Sequence, residues 1–256
     1  MIPFGILQQQ TLGGVFNPND YPNLVADWDA SILSSLLDAS DVPITGDLDD
    51  VVRSVLDSAD SPSAYRWYGP GTTKLYKPDI DGHPCVYFPV GSYLYSVDGS
   101  TVDKQIHTTS QMTLFTVSRH VSGANNYNYV YRSGATSNGW HGVMFDTRTQ
   151  KRLSHSIADG GATLSLDMTA RDTTVNIRVM SILADHHGGD VKSHRDGGDQ
   201  ATGSSHATQE YYKTGVESEL GGEQTAQYVF RVLVYNGLLT QTQHDEIATA
   251  LVARYV

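Results

Sequence analysis

Cysteine occurs once, at Cys85, so the chain has neither the pair needed for an intrachain disulfide nor a thiolate set for structural zinc. Long apolar runs are missing as well. No stretch approaches the roughly 18 residues that read as a membrane-spanning helix. The start, Met1-Ile2-Pro3-Phe4-Gly5, lacks the charged and apolar regions of a secretory signal. A soluble chain made in the cytoplasm, without membrane insertion, is expected. Basic residues are few: 17 Lys and Arg stand against 28 acidic residues, a formal charge of −11, and they form no dense stripe. Nucleic-acid binding by phosphate neutralisation needs clustered cations and is excluded as an expectation. Glutamate is absent until Glu210; Glu217, Glu219, Glu223 and Glu246 complete the set, so every earlier carboxylate is an aspartate. Aspartate suits turns and strand ends, where it bonds the local backbone. There is no Gly-x-Ser-x-Gly elbow and no glycine-rich phosphate loop before a helix, which removes the usual serine-hydrolase and nucleotide-binding signatures.

What remains is a strand-and-turn composition, with 24 Gly and 15 Tyr against 6 Phe. At 256 residues one all-β domain accounts for the length. Residues 1–22, with Gln8-Gln9-Gln10, Gly13-Gly14 and Asn17-Pro18-Asn19, read as an irregular arm before a domain at 23–256. Leu24 to Ala30 alternates as a strand does. Ser31–Leu37 and Leu48–Leu56 space their apolar residues by three and four, which predicts short helical turns or loops. From Ser110 to Val179, segments such as Met112–Ser118, Tyr127–Tyr131 and Gly142–Phe145 alternate with Gly, Asn and Asp clusters, the pattern of a sandwich or barrel. Residues 184–227 are polar and predict a long excursion with at most one weak hairpin, and the glycines around Glu217-Ser218-Glu219 predict a turn. Tyr228–Tyr235 closes the pattern as a strand, and Thr240 caps a helix with Ile247, Leu251 and Val252 on one face.

The segment Phe230-Arg231-Val232-Leu233-Val234-Tyr235-Asn236-Gly237-Leu238-Leu239-Thr240, with the helix ending Leu251-Val252-Ala253-Arg254-Tyr255, resembles the C-terminal signature of concanavalin A-like lectin/glucanase domains, laminin-G-like branch. Leu24–Ala30 is similar to that family's opening strand, Asp81–Phe88 to the strand before its threshold loop and Met112–Val117 to the strand that follows, in matching order. The resemblance covers about residues 22 to 256. It implies an all-β fold, a two-sheet antiparallel jelly-roll sandwich with a short C-terminal helix, often with a carbohydrate site on its concave sheet. It also implies a surface module of the kind carried on bacteriophage capsids and tails, at a virion surface, with other virion subunits as partners through the N-terminal arm, and with self-association of copies as an open alternative.

Three chemistries compete within that fold. Glycoside hydrolysis requires two carboxyl groups about 5–10 Å apart. The Glu-x-Asp-x-x-Glu strand of the family's hydrolases is absent, so a non-catalytic module is expected, with a glycan depolymerase as the alternative and a purely structural cementing subunit as a third reading. Sugar binding needs planar aromatic faces beside hydrogen-bonding groups. Asn126, Tyr127, Tyr129, Tyr131, Arg132, Trp140 and His141 supply them in one stretch, and in a hairpin the three tyrosines would share a face. Tyrosines alternating along a strand are equally ordinary sandwich packing. Metal binding rests on Asp185, His187, Asp190, Asp196 and Asp199, an oxygen-rich set suited to Ca²⁺; a solvated polar loop is the competing reading.

Overall fold

The computed structural model describes residues 16–52, 54–56, 66–69, 74–97, 111–121, 127–133, 140–146, 151–157, 163–167, 176–185, 190–204, 218–222 and 226–256. Its first strands are β1 (Leu24–Asp29), β2 (Leu36–Leu37), β3 (Val51–Val52), β4 (Ser54–Leu56), β5 (Arg66–Tyr68), β6 (Lys74–Ile80), β7 (His83–Phe88), β8 (Ser92–Val97) and β9 (Gln111–His120). Then come β10 (Tyr127–Ser133), β11 (Trp140–Asp146), β12 (Lys151–Ile157), β13 (Thr163–Asp167), β14 (Arg178–Asp185) and β15 (Asp190–Arg195). Strands β16 (Gly198–Ser204), β17 (Ser218–Gly222) and β18 (Gln227–Tyr235) lead to helix α1 (Gln241–Tyr255).

Among the described residues these strands form two nine-stranded sheets. The first runs β16-β15-β14-β9-β18-β7-β6-β3, and β1 also pairs with β18. The second runs β13-β12-β11-β10-β17-β8-β5-β4-β2. Neighbours are antiparallel throughout, as a sandwich without crossover helices requires. Between the sheets lies one core, where Trp28, Phe88, Leu114, Ile182 and Val232 of the first meet Leu36, Leu94, Val130, Tyr131 and Leu220 of the second.

A second core explains the apolar run of β18. Val229, Val232 and Val234 enter the inter-sheet core, whereas Phe230, Leu233 and Tyr235 face the other side, under α1. A strand covered on both faces cannot show polar alternation, so it reads as continuous apolar sequence. The pairing of β18 with β9 slips between Val229 and Arg231. This bulge puts Phe230 in the helix-side core and turns the next residue, Arg231, toward Asp27 and Asp29 of β1 on the same side. Helix α1 begins at a reciprocal capping box, in which the Thr240 hydroxyl accepts from Gln243 N and the Gln243 side chain accepts from Thr240 N. It buries His244, Ile247, Ala248, Leu251 and Tyr255. Thr240→Ala is expected to cost about 1 kcal/mol, read as a lowered urea midpoint with an unchanged slope.

Four expectations change. Residues 16–22 belong to the domain rather than to a free arm: Phe16 and Tyr21 pack on the helix-side core, and the Tyr235 hydroxyl donates to Pro18 O at 3.3 Å. Residues 1–15 lie outside the described residues. Leu48–Leu56 forms the short strands β3 and β4 instead of helical turns, while Ser31–Leu37 does hold a 3-10 turn at Leu33–Ser35 ahead of β2. Ser218–Gly222 is a strand between β10 and β8, not a turn. The polar stretch after Ala184 likewise supplies strands β15, β16 and β17. Its signal was Asp196-Gly197, both at positive φ (50° and 82°), the backbone of a two-residue hairpin turn. Ladder hydrogen bonds with β14 hold β15 as a strand despite its polar side chains.

Candidate functional site

The sheet remote from α1 carries the candidate site on the face turned away from the core. Leu94, Leu220 and Tyr131 form one cross-strand row, and all three are fully buried. One residue along each strand lies the next row: Tyr68 pairs with Tyr95, Tyr95 with Glu219, Glu219 with Arg132, Arg132 with Gly142, and Gly142 with His155. Successive residues of a strand belong to opposite faces, so this row is on the outside. Tyr68, Tyr93 and Tyr95 are half-buried, and the Tyr93 and Tyr95 rings meet edge to face with centroids 4.7 Å apart. Strand β8 explains their placement, because Ser92, Leu94 and Ser96 take the buried positions between them. Tyr93 and Tyr95 are absent from the candidate set read from the sequence. The alternation Ser-Tyr-Leu-Tyr-Ser is the signal that finds them.

The register divides the predicted aromatic set. Between Tyr129 and Tyr131 the pairing with β11 slips by one, so Val130 and Tyr131 are both buried in the inter-sheet core. Tyr131 is therefore a core residue and not part of a platform, because the bulge interrupts the alternation that would have aligned the three tyrosines. Tyr127, Tyr129, Arg132 and Trp140 fall at register positions of the outer face; His141, paired with Ser133, falls in a row of the inner one. Asn126 lies outside the described residues.

The proposed metal ligands are spread apart. Asp185 and Asp190 flank the β14–β15 connection, where Ala184 pairs with Val191 and Asp185 accepts from Gln111 Nε2 at 3.0 Å. Asp196 and Asp199 sit at the other end of β15, about 17 Å away at ~3.4 Å per residue. Asp196 is already engaged there, accepting from Val179 N at 3.0 Å and from Arg178 Nη1 at 3.1 Å. His187 lies outside the described residues, and among the described ones no three His, Cys, Asp or Glu side chains gather as a metal site would require.

A Ser-His-Asp chain occurs elsewhere. The Ser181 hydroxyl lies 2.7 Å from His244 Nε2, and His244 Nδ1 lies 2.9 Å from Asp245 Oδ1. The hydrogen bond from His244 holds the Asp245 carboxyl below its usual range, helped by Gln241 and by the charges of His244 and His194. The geometry is that of a nucleophile relay, but Ser181 and His244 are 2% and 0% exposed beneath α1, and the His244 ring stacks on Phe115. It fastens the helix to β14. No helix among the described residues is long and apolar enough to cross a membrane.

No protein-family model and no curated sequence matches the chain. Solved structures do. The binding domain of botulinum neurotoxin serotype D matches with a TM-score of 0.62 at 7% identity, over 90% of this chain and 51% of that one. The binding domain of botulinum neurotoxin DC in complex with SialylT matches with 0.61 at 6%, over 91% and 52%. Domain 4 of a GH43 extracellular arabinanase from Geobacillus stearothermophilus, in complex with arabinotriose, matches with 0.60 at 12%, over 88% and 98%. The chain shares their β-sandwich fold. It spans about half the length of the neurotoxin domains and nearly the whole of the arabinanase domain, so the sandwich corresponds to a complete module there. At these identities the likeness is one of fold.

Proposed function

We propose that this sandwich is a non-catalytic carbohydrate-binding module whose ligand face is the outer face of the sheet containing β8, β17 and β10. The observation that carries the reading is the row Tyr68–Tyr95–Glu219–Arg132–Gly142, in which half-buried tyrosines adjoin positions bearing a carboxylate and a guanidinium, with no side chain at Gly142. Aromatic faces bind the apolar side of a sugar ring, and charged donors and acceptors take its hydroxyls. A glycine inside a strand permits close approach of a ligand to the backbone. Two structural neighbours were solved with SialylT and with arabinotriose, which supports a sugar as ligand. Hydrolysis needs a second carboxyl group about 5–10 Å from the first; the described residues beside Glu219 in its row are Tyr95 and Arg132.

A glycan array probed with the whole chain, with calcium and with chelator, tests the reading. Selective binding is expected, and Tyr95→Ala should weaken it about tenfold with unchanged thermal stability. Chelator sensitivity would add a bound Ca²⁺ to the reading. Release of reducing ends, lost in Glu219→Gln, would turn the reading to the depolymerase alternative. The virion placement is read from the resemblance alone: a chain lacking residues 1–15 should lose particle association while keeping its fold. Particle association without any glycan binding would favour a cementing subunit.

A further inference from the structure

We propose that the first sheet carries a second glycan platform on its outer face, centred on Tyr87 and Tyr228, and that its ligand is a neutral oligosaccharide. It shares with the reading above only the class of ligand. Val51, Leu75, Tyr87, Tyr228 and Arg119 form one cross-strand row over β3, β6, β7, β18 and β9. Their strand neighbours Val52, Tyr76, Val86, Phe88 and Val229 lie in the inter-sheet core, so the row faces outward. Helix α1 lies over β14 and β9 and leaves the row accessible: Val51 is 46% exposed and the other four are half-buried. The Tyr87 and Tyr228 ring centroids are 5.1 Å apart, with the planes tilted by 40°. The Arg119 guanidinium lies 5.8 Å from the Tyr228 centroid and Lys77 Nζ 6.0 Å from that of Tyr87, within the range where cation–π attraction holds both beside the rings. Each cation has a carboxylate partner, Asp81 at 2.7 Å from Arg119 Nη1 and Asp49 against Lys77.

Size and charge choose the occupant. Five strands about 4.8 Å apart make the row about 19 Å long. On one side it is bounded by Cys85, Phe230 and Val117, which are buried in the helix-side core. A stable protein interface takes about 800 Å² from each partner, far more than a single row offers. An open row of this length suits a few sugar rings, whose apolar faces rest on tyrosine. Two cations against two carboxylates leave the platform electrically balanced, with donors and acceptors for hydroxyls and no excess charge to attract an anion.

An array of neutral and carboxylate-bearing oligosaccharides is probed with the whole chain and with Tyr228→Ala, Arg119→Gln and Tyr95→Ala, the thermal stability of each being recorded. Tyr228→Ala should weaken binding to a neutral subset about tenfold. Arg119→Gln, which leaves both rings in place, should weaken the same subset about fivefold, and Tyr95→Ala should leave it unchanged. Native-like binding by both Tyr228→Ala and Arg119→Gln overturns the platform; if Tyr95→Ala then abolishes binding, the reading of the other sheet stands. A loss in Tyr228→Ala that only follows a loss of stability, with Arg119→Gln binding normally, also overturns it and leaves the tyrosines as a packing pair. A Tyr228-dependent subset made up of carboxylate-bearing members overturns the neutral ligand. Tyr95→Ala without effect on any glycan strikes the other site alone, and no binding by any of the proteins overturns both.

Discussion

Arg231→Met is expected to destabilise the fold by about 3–5 kcal/mol, the largest effect of any single charged residue among the described ones, measured as a shift in the urea unfolding midpoint. Arg231 reaches Asp27 through two hydrogen bonds, Nε to Oδ1 at 3.0 Å and Nη2 to Oδ2 at 2.8 Å, and its Nη1 lies 3.4 Å from Asp29 Oδ2. All three groups are buried, and Phe16 covers the guanidinium with its ring centroid 5.5 Å away. Burial alone would lower the pKa of Arg231; the Asp27 hydrogen bonds and the charges of Asp27 and Asp29 reverse this and leave it raised. Arg231 therefore keeps its charge in the interior. Methionine leaves two carboxylates in the interior without the cation that joins them; Arg254, 3.4 Å from Asp29, compensates in part. Asp27→Leu added to Arg231→Met should recover part of the loss, since the cost lies in the uncompensated charge more than in the missing attraction. A double variant no more stable than the single one would count against that account.

Tyr131→Ala should cost about 3–5 kcal/mol in the same assay, while the folded fraction binds glycans as before. Tyr131 is fully buried among Val130, Leu94 and Leu220, so its loss opens a cavity between the sheets. The contrast with Tyr95→Ala is the useful part. One tyrosine should register in stability and not in affinity, the other in affinity and not in stability. Weakened binding by Tyr131→Ala at unchanged stability would place its ring on the outer face and overturn the bulged register of β10.

The strands that were legible in the sequence are those whose burial is written in their own side chains. β1, β9 and β18 carry dense apolar or alternating runs, and α1 carries both its cap and its apolar face. Strands β15, β16 and β17 were not legible, because their strand character comes from the ladders beside them; Ser193 and His194 are buried without being apolar. The aromatic stretch at 127–131 was recognised, but a one-residue bulge at Val130 leaves no mark on composition and removes Tyr131 from the outer face. The acidic stretch after Ala184 shows the converse error. Donors close in sequence are held apart by an extended strand, whereas Asp27 and Arg231, 204 positions apart, are in contact.

The position of β18 bears on how the protein is made. It fills the place between β9 and β7 in the first sheet, yet it follows both by more than a hundred residues in the chain. As the chain leaves the ribosome, β9 and β7 must wait with unpaired edges until residues 227–235 emerge. Pairings of such long sequence separation form slowly, and open edges are where growing chains find one another. Yield should therefore respond more to synthesis rate and holding chaperones than the stability of the finished sandwich would suggest.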